Sequence, residues 1–133
     1  MNHQIKISVI TVVYNGIDLL RGTMESVFAQ TYPNIEYIII DGNSNDGTLE
    51  LIKENESKIT KWISEPDKGL YDAMNKGIKL ATGDFLWFMN AGDRIFAKDT
   101  LMLRHARIHE DYPERYKNAV QKLTKMVLAA AQN

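Results

Sequence analysis

Three polar loops hold the residues that could do chemistry, and each loop follows an apolar run. The first spans residues 41–48 and contains two aspartates, two asparagines and glycines at positions 42 and 47. Asp41 closes the apolar run, where a carboxylate can accept a hydrogen bond from an N–H on a flat ring such as uracil. The glycines permit positive φ and let a ligand approach the backbone. The same residue types also form a tight turn that caps the next helix, and the loop taken alone favours that simpler interpretation.

The second segment, residues 67–77, begins as a loop and continues into a predicted helix, and it is the most distinctive part of the chain. It places Lys68 beside Gly69 at a predicted helix start, where free N–H groups and the helix dipole favour a phosphate. Asp72 and Asn75 lie three residues apart on one helix face and can reach the same ligand. A solvated polar face with a helix cap explains the segment equally well.

The third loop, residues 90–93, follows the strongly apolar run Phe-Leu-Trp-Phe-Met. Its single charge is Asp93, and a carboxylate there can bind a hard divalent cation that neutralises a diphosphate. Magnesium and manganese sites often recruit substrate phosphates as further ligands, so one carboxylate is compatible with such a site. An aspartate that only shapes a turn is the alternative, and Asp93 on its own favours it.

Other residue types narrow the possible chemistry. The chain has no cysteine, which excludes disulfides and thiolate metal sites. His105 and His109 have the i, i+4 spacing of a chelating pair, but an exposed helix face explains them better. Trp62 and Trp87 fall on predicted strands and are expected in the core. Neither G-x-G-x-x-G nor a Walker-type G-K-[ST] occurs, which counts against a dinucleotide-dependent oxidoreductase and a P-loop protein.

Length and composition are those of one compact soluble domain. The chain has 133 residues, of which 44% are apolar and 25% charged, and its net charge is −1. This balance gives no field that would attract nucleic acid or an anionic membrane. No run approaches the roughly 20 apolar residues that cross a bilayer, and the β-branched run near the N-terminus indicates a strand rather than a signal peptide. We therefore expect a cytoplasmic protein that does not bind nucleic acid.

Apolar patterning predicts the elements that position the three loops. Four runs indicate strands: Ile7–Val13, Ile35–Ile40, Ile59–Ser64 and Phe85–Met89. Helices are predicted after the first three strands, the first with Asp18 as N-cap, the second over Thr48–Asn55 and the third marked by Leu70, Met74 and Ile78. This alternation predicts an α/β sandwich with a mainly parallel sheet, in which ligands bind at the carboxyl ends of the strands.

The pattern changes after Lys98, which suggests a boundary between residues 1–97 and a basic tail of residues 98–133. Two helices are expected in the tail, one from Asp99 to about His109 and one over Glu114–Ala131. The second has a single apolar stripe, which needs a partner within the chain or in another copy.

Taken in order, the motifs resemble those of the family 2 glycosyltransferases of the GT-A fold, over roughly residues 6–97. The matching segments are Ser8-Val-Ile-Thr-Val-Val-Tyr-Asn15, Glu25-Ser-Val27 with Gln30 and Tyr32, Ile35–Gly42 with Ser44 and Asp46-Gly-Thr48, Ser64–Gly77, Ala81–Asp84 and Asn90–Asp93. The resemblance implies a Rossmann-like three-layer sandwich that forms the nucleotide-sugar-binding half of the family's fold. It also implies that the chain is truncated, because family members continue into an acceptor half.

The resemblance further implies which residues bind the donor. Those residues are Thr11, Val12, Tyr14, Asn15, Asp41, Ser44, Asp67, Lys68, Gly69, Asn75, Asn90 and Ala91, with Asp93 as the carboxylate for Mn²⁺ or Mg²⁺. Thr11, Val12, Tyr14 and Asn15 would flank the base, and Asp41 would pair with it. Residues 67–69 would lie near the ribose and diphosphate. Residues 90–93 match the family's D-x-D-like metal element, although Asn90 and Gly92 stand where acidic residues are common. The general base that would deprotonate the acceptor cannot be assigned.

By this resemblance, the chain binds a nucleoside diphosphate sugar, with UDP favoured, and transfers the sugar to a glycan or lipid-linked acceptor. The expected process is synthesis of a cell-surface polysaccharide or glycan, in the cytoplasm or at the inner face of the membrane. The alternative is a non-catalytic, truncated paralogue that binds nucleotide or forms homo-oligomers through its C-terminal helix.

Overall fold

A central parallel sheet organises the chain in the computed structural model, which describes residues 5–95, 98 and 100. Its strands are β1 (Ile7–Val13), β2 (Ile35–Asp41), β3 (Lys61–Ser64) and β4 (Phe85–Phe88). They lie in the order β3-β2-β1-β4, and every neighbouring pair is parallel. The four predicted strands are therefore confirmed, with β3 beginning two residues later than expected.

Helices cover both faces of this sheet and complete a three-layer α/β sandwich. They are α1 (Ile17–Phe28), α2 (Thr48–Glu54) and α3 (Leu70–Leu80), and a 3₁₀ turn at Glu56–Lys58 follows α2. Side chains of α1 and α2 share one apolar cluster with the sheet, and those of α3 share the other. The predicted fold class is confirmed. The predicted boundary at residues 97/98, the tail helices and the pair His105 and His109 lie outside the described residues.

The two central strands explain why the sheet forms. Every residue of β1 is buried, as are six of the seven in β2, so both strands are enclosed on two faces. Successive side chains of a strand alternate between faces, so Val9 and Ile39 pack towards α1 and α2, whereas Ile10 and Ile38 pack towards α3. Continuous β-branched runs are the sequence form of such doubly covered strands.

Helix α3 lies close to the sheet because the residues facing it are small. A Cβ on Gly77 would lie 2.5 Å from Cγ2 of Ile10, and Ala73 is buried one turn earlier. Leu70, which we predicted on the apolar stripe of this helix, is instead 50% exposed. The stripe thus located the helix correctly but not its buried face.

Two local predictions were wrong. Asp18 is not the N-cap of α1, because the helix begins at Ile17 after Gly16 and has no side-chain cap from its own N-cap residue. Trp62 and Trp87 are only partly buried and pack against the edge of the core. Both lie on the outer strands of the described sheet, where one side of each strand has no neighbour within the described residues. None of the helices in this part of the chain has the length and apolar character needed to span a bilayer.

A buried carboxylate holds the amino ends of the strands together. Glu36, at the start of β2, is 2% exposed and accepts hydrogen bonds from the Ser8 hydroxyl (3.0 Å) and from the backbone N–H (2.8 Å) and hydroxyl (2.5 Å) of Thr82. Its Oε2 also lies 2.9 Å from Nζ of Lys6 and 3.7 Å from Nζ of Lys61. Burial alone would raise the pKa of Glu36, but the hydrogen bonds from Thr82, Lys6 and Ser8 outweigh it and lower the pKa to about 2.

We predict that Glu36→Gln lowers the free energy of unfolding by roughly 3 kcal/mol at neutral pH. The folded pKa lies below the ordinary value of 4.5. The stabilisation is therefore complete above pH 4.5 and is lost as the pH falls towards 2. Urea denaturation of both proteins across this range measures the difference, with Glu50→Gln on the exposed surface of α2 as control. A difference between wild type and Glu36→Gln that stays constant over this range would contradict the assignment.

Candidate functional site

A cavity of about 440 Å³ opens at the carboxyl ends of the strands. The loops after β1, β3 and β4 and the first turns of α1 and α3 form its wall. The lining residues are Val12, Val13, Tyr14, Asn15, Gly16, Leu19, Asp67, Gly69, Leu70, Ala73, Asn90 and Ala91. This is the edge of the sheet at which the sequence predicted a ligand site.

Seven predicted residues line this cavity: Val12, Tyr14, Asn15, Asp67, Gly69, Asn90 and Ala91. The sequence reasoning missed five others: Val13, Gly16, Leu19, Leu70 and Ala73. Leu19 and Leu70 are 56% and 50% exposed, as is expected of apolar residues on the first turns of helices at a cavity mouth. Leu19 also falls outside the apolar stripe of α1. An apolar residue off the buried face of a helix could have indicated a ligand contact.

Asp41 is fully buried at the end of β2, and its carboxylate bonds to protein on both oxygens. Oδ2 accepts hydrogen bonds from the N–H of Ser44 (3.1 Å) and the hydroxyl of Ser64 (2.7 Å), and Oδ1 accepts one from the hydroxyl of Ser44. Neither Asp41 nor Ser44 lines the cavity. The pairing of Asp41 with a base therefore stays a prediction.

The loops after β1 and β2 are joined by side chains that bond to backbone. The N–H of Asn15 donates to Oγ of Ser44 (2.7 Å), and Oδ1 of Asn15 accepts from the N–H of Asn45 (2.8 Å). Asn15 has a φ of 47°, and these two contacts hold it there. Ser44 therefore acts on the cavity by fixing Asn15 rather than by lining it.

Asp46 supports the starts of two helices at once. Its Oδ2 accepts from the N–H of Ile17 at the start of α1 (3.2 Å), and its Oδ1 accepts from the N–H (3.0 Å) and hydroxyl (2.5 Å) of Thr48 at the start of α2. The hydrogen bond from the Thr48 hydroxyl is the main cause of a lowered pKa for Asp46. The turn-and-cap interpretation of this loop is thus correct for Asp46, although that residue also caps the helix before its own loop.

Asp67 lines both the main cavity and a second hollow of about 300 Å³. The second hollow is lined by Tyr14, Gly42, Asn43, Pro66 and Asp67. Oδ1 of Asp67 accepts from the N–H of Gly69 (3.0 Å). Its Oδ2 lies 2.7 Å from the point that a Cβ on residue 42 would occupy. A side chain at position 42 would require this carboxylate to move.

Besides Asp41 and Ser44, four predicted residues do not line the cavity: Thr11, Lys68, Asn75 and Asp93. Thr11 is fully buried and shares a 2.8 Å hydrogen bond with the hydroxyl of Tyr37. Burial raises the pKa of the Tyr37 hydroxyl. Lys68 is exposed on the loop after β3, where its backbone N–H donates to Oδ2 of Asp72 (2.9 Å). Asn75 is 9% exposed, and within the described residues its Oδ1 has no hydrogen-bond partner.

The loop after β4 is anchored to α1 by two hydroxyl groups. Oγ1 of Thr23 donates to the carbonyl of Asp93 (2.6 Å) and accepts from the N–H of Gly92 (2.9 Å), while Oγ of Ser26 accepts from the N–H of Ile95 (3.1 Å). These contacts hold the loop while leaving the side chain of Asp93 exposed. Its Oδ2 accepts a 3.1 Å hydrogen bond from the N–H of Asn90.

The oxygen atoms at this loop suit a hard divalent cation whose remaining ligands would come from a bound diphosphate and water. Residues 5–95, 98 and 100 contain no cluster of three or more histidine, cysteine or acidic side chains that would hold a metal by themselves. Asp93 offers an exposed carboxylate, and Oδ1 of Asn90 has no partner in the described part of the chain. Oxygen ligands of this kind suit Mg²⁺ or Mn²⁺ when phosphate oxygens and water complete the coordination.

Comparisons of the sequence and of the structure with known proteins both find glycosyltransferases. The model of glycosyl transferase family 2 matches residues 8–115. An uncharacterized glycosyltransferase of Mycobacterium tuberculosis is 46% identical over 96 residues, which cover 71% of this chain and 37% of that protein. The structure of S. aureus TarS 1–349 in complex with UDP-GlcNAc has a TM-score of 0.72 at 28% identity, and the match covers 79% of this chain and 31% of that one.

A second solved structure is similar to this fold. The mannosyltransferase PcManGT from Pyrobaculum calidifontis, in complex with GDP-Man and Mn²⁺, has a TM-score of 0.68 at 25% identity. The match covers 74% of this chain and 31% of that one. The chain thus spans about a third of the length of these relatives.

We predict that Asp46→Ala lowers the melting temperature by several degrees, because the first N–H groups of α1 and α2 lose their acceptor together. Asp18→Ala is the matched control, since Asp18 is an exposed carboxylate in the first turn of α1. Thermal unfolding followed by circular dichroism measures both variants. Equal melting temperatures for the two variants would show that Asp46 does not join the helices.

Proposed function

Because the chain belongs to glycosyl transferase family 2, we propose that residues 5–95 form the donor-binding part of a glycosyltransferase. The cavity at the carboxyl edge of the sheet binds a nucleoside diphosphate sugar, whose sugar is transferred to an acceptor hydroxyl. The observation that carries this proposal is that seven residues implied by the family resemblance line one cavity of about 440 Å³. A cavity of this size suits a ligand of a few hundred daltons.

The base and ribose lie along the loop after β1 in this proposal. Tyr14 presents a ring that is 66% exposed, and a flat base can stack on it. Val12, Asn15 and Asp67 line the same cavity. UDP is the proposed nucleotide, supported by the complex of TarS with UDP-GlcNAc, although the complex of PcManGT with GDP-Man makes GDP the first competitor to test.

The diphosphate lies between the start of α3 and the loop after β4. Gly69 precedes α3, whose first N–H groups and dipole favour negative charge, and Lys68 adds a flexible cation beside it. Asp93 and Asn90 would hold Mn²⁺ or Mg²⁺ together with phosphate oxygens. A bound cation would supply electrostatic stabilisation of the departing diphosphate; the complex of PcManGT with Mn²⁺ supports a metal in this family.

Transfer breaks the bond between the anomeric carbon and the diphosphate and forms one between that carbon and the acceptor oxygen. The acceptor's proton must pass to a base, and we assign that role to no residue of the described part. The proposed acceptor is a glycan or a lipid-linked saccharide, in cell-surface polysaccharide or glycan synthesis. The reaction would take place in the cytoplasm, where sugar nucleotides are the donors, or at the inner face of the membrane.

Calorimetric titration of UDP into the purified chain, with Mn²⁺ and again with chelator, tests donor binding directly. We expect binding that Mn²⁺ strengthens, and we expect Asp93→Ala to remove the metal-dependent gain while leaving the metal-free affinity unchanged. Asp18→Ala, another exposed carboxylate at this edge, is the control. Absence of binding to UDP and GDP alike would overturn the donor site and leave a non-catalytic, oligomerising protein as the better account.

We also predict that Tyr14→Ala weakens UDP binding by roughly 5- to 150-fold, because base stacking on an aromatic ring contributes about 1–3 kcal/mol. Tyr71→Ala is a matched control, since Tyr71 is 50% exposed near the same edge but does not line the cavity. Calorimetry with UDP and with inorganic pyrophosphate separates the base from the diphosphate. An equal loss for both probes would show that Tyr14 does not contact the base.

A further inference from the structure

A hollow of about 380 Å³ lies at the opposite edge of the sheet from the proposed donor site. Residues from the end of α1, the first half of β2 and the turn before β3 line it. It shares no lining residue with the cavity at the carboxyl ends of the strands. We call it the amino-edge hollow, and the proposed donor site makes no use of it.

Most of the lining of the amino-edge hollow is apolar or aromatic. Val27 and Tyr37 are buried, whereas Phe28 and Ile35 are partly exposed and pack against the main apolar cluster. The rings of Phe28 and Tyr37 meet edge to face, with centroids 5.9 Å apart, and Nζ of Lys58 lies 5.4 Å from the centroid of Phe28. This arrangement fixes the aromatic wall of the hollow and leaves apolar surface open to a partner.

The chain leaves its described part close to this hollow. The N–H of Thr31 donates to the carbonyl of Lys98 (2.7 Å), and Gln30, the residue before Thr31, lines the hollow. Even a fully helical connection from Lys98 to Tyr116 spans about 27 Å, at roughly 1.5 Å per residue. Residues beyond 115 can therefore reach the hollow from the end of α1.

The last part of the tail carries apolar residues that need a surface to cover them. On the helix predicted from the sequence, one face carries Tyr116, Ala119, Val120, Leu123, Val127 and Ala130. The match to the family model ends at residue 115, so this apolar stripe lies beyond the family's pattern. It is a feature of this chain that membership of the family does not explain.

Net charge favours contact between the two surfaces. Residues 116–133 contain three lysines and no acidic residue. The two helices on this face of the sheet and the 3₁₀ turn contain five acidic and three basic residues, a net charge of −2. Opposite net charges attract, and the polar side chains of Gln30, Lys58 and Thr60 at the hollow suit the polar flanks of an amphipathic helix.

From these observations we propose that the amino-edge hollow is the docking site for the apolar stripe of residues 116–130 of the same chain, with Leu123 at the centre of the contact. A second copy could offer the same stripe. The chain's own tail is favoured because it departs beside the hollow, and a short connection gives it an effective concentration of about a millimolar. This inference does not depend on the donor site.

The absence of cysteine from the chain makes cross-linking site-specific. The test joins Thr124→Cys, at the margin of the stripe, to Lys58→Cys at the hollow with a short bis-maleimide. The control joins Thr124→Cys to Lys79→Cys, because Lys79 is also an exposed lysine but belongs to α3 on the other face of the sheet. We expect the yield of the link within one chain to be at least fivefold higher for Lys58 than for Lys79.

Two substitutions in the tail show whether the stripe itself makes the contact. Leu123→Asp places a charge in the stripe and should reduce the Lys58 yield to the level of the Lys79 control. Gln121→Asp adds the same charge on the opposite face of the predicted helix and should leave the yield unchanged. If Leu123→Asp fails to fold, the two lysine pairs in the otherwise unchanged chain still decide the matter.

The contrary results are distinct. Equal yields for the Lys58 and Lys79 pairs, or a Lys58 yield that Leu123→Asp preserves, overturn the docking site. A covalent dimer carrying the link between positions 58 and 124, with a yield that rises with protein concentration, assigns the hollow to the tail of a second copy and overturns the contact within one chain. Titration of UDP tests the donor site separately, and its result does not alter this one.

Discussion

The buried carboxylate of Asp41 is the contact on which the geometry of the cavity depends. A charge removed from water must be fully hydrogen-bonded, and Asp41 meets that requirement through Ser44 in its own loop and Ser64 at the end of the neighbouring strand. Ser44 in turn accepts the N–H of Asn15. One acidic group thereby joins the loops after three parallel strands, and Tyr14 and Asp67 on two of these loops line the cavity.

The amino end of β2 also carries a buried, hydrogen-bonded carboxylate, that of Glu36, which joins the starts of the strands. Glu36 lies five residues before Asp41 on the opposite face of the sheet, and it gathers Ser8, Thr82 and two lysines around a buried charge. Its low pKa shows that these partners more than offset its burial. Both ends of β2 thus carry a buried carboxylate whose hydrogen bonds join it to neighbouring segments.

The sequence predicted the layers of this fold well because burial on both faces leaves an unmistakable pattern. The continuous β-branched run of β1 has that pattern along its whole length, and the structure begins and ends the strand at the predicted residues. The errors concern contacts between residues that are distant in the sequence. Asp18 has the residue type of an N-cap, but Asp46 reaches the start of α1 from another loop. Gly77 and Ala73 give no apolar signal, yet they form the face on which α3 approaches the sheet.

Seven of the predicted site residues line the cavity and the others do not, and the topology explains this division. All strands of a parallel sheet end at one edge, so the loops after them compete for the same small volume. A glycine at position 42 removes a side chain from that volume, and a carboxylate from the loop after β3 enters it. Residue type at one position therefore cannot determine which acid meets a ligand. The distribution of side-chain volume over adjacent loops decides it, which is why Asp41, the better match by motif, is enclosed and Asp67 remains accessible.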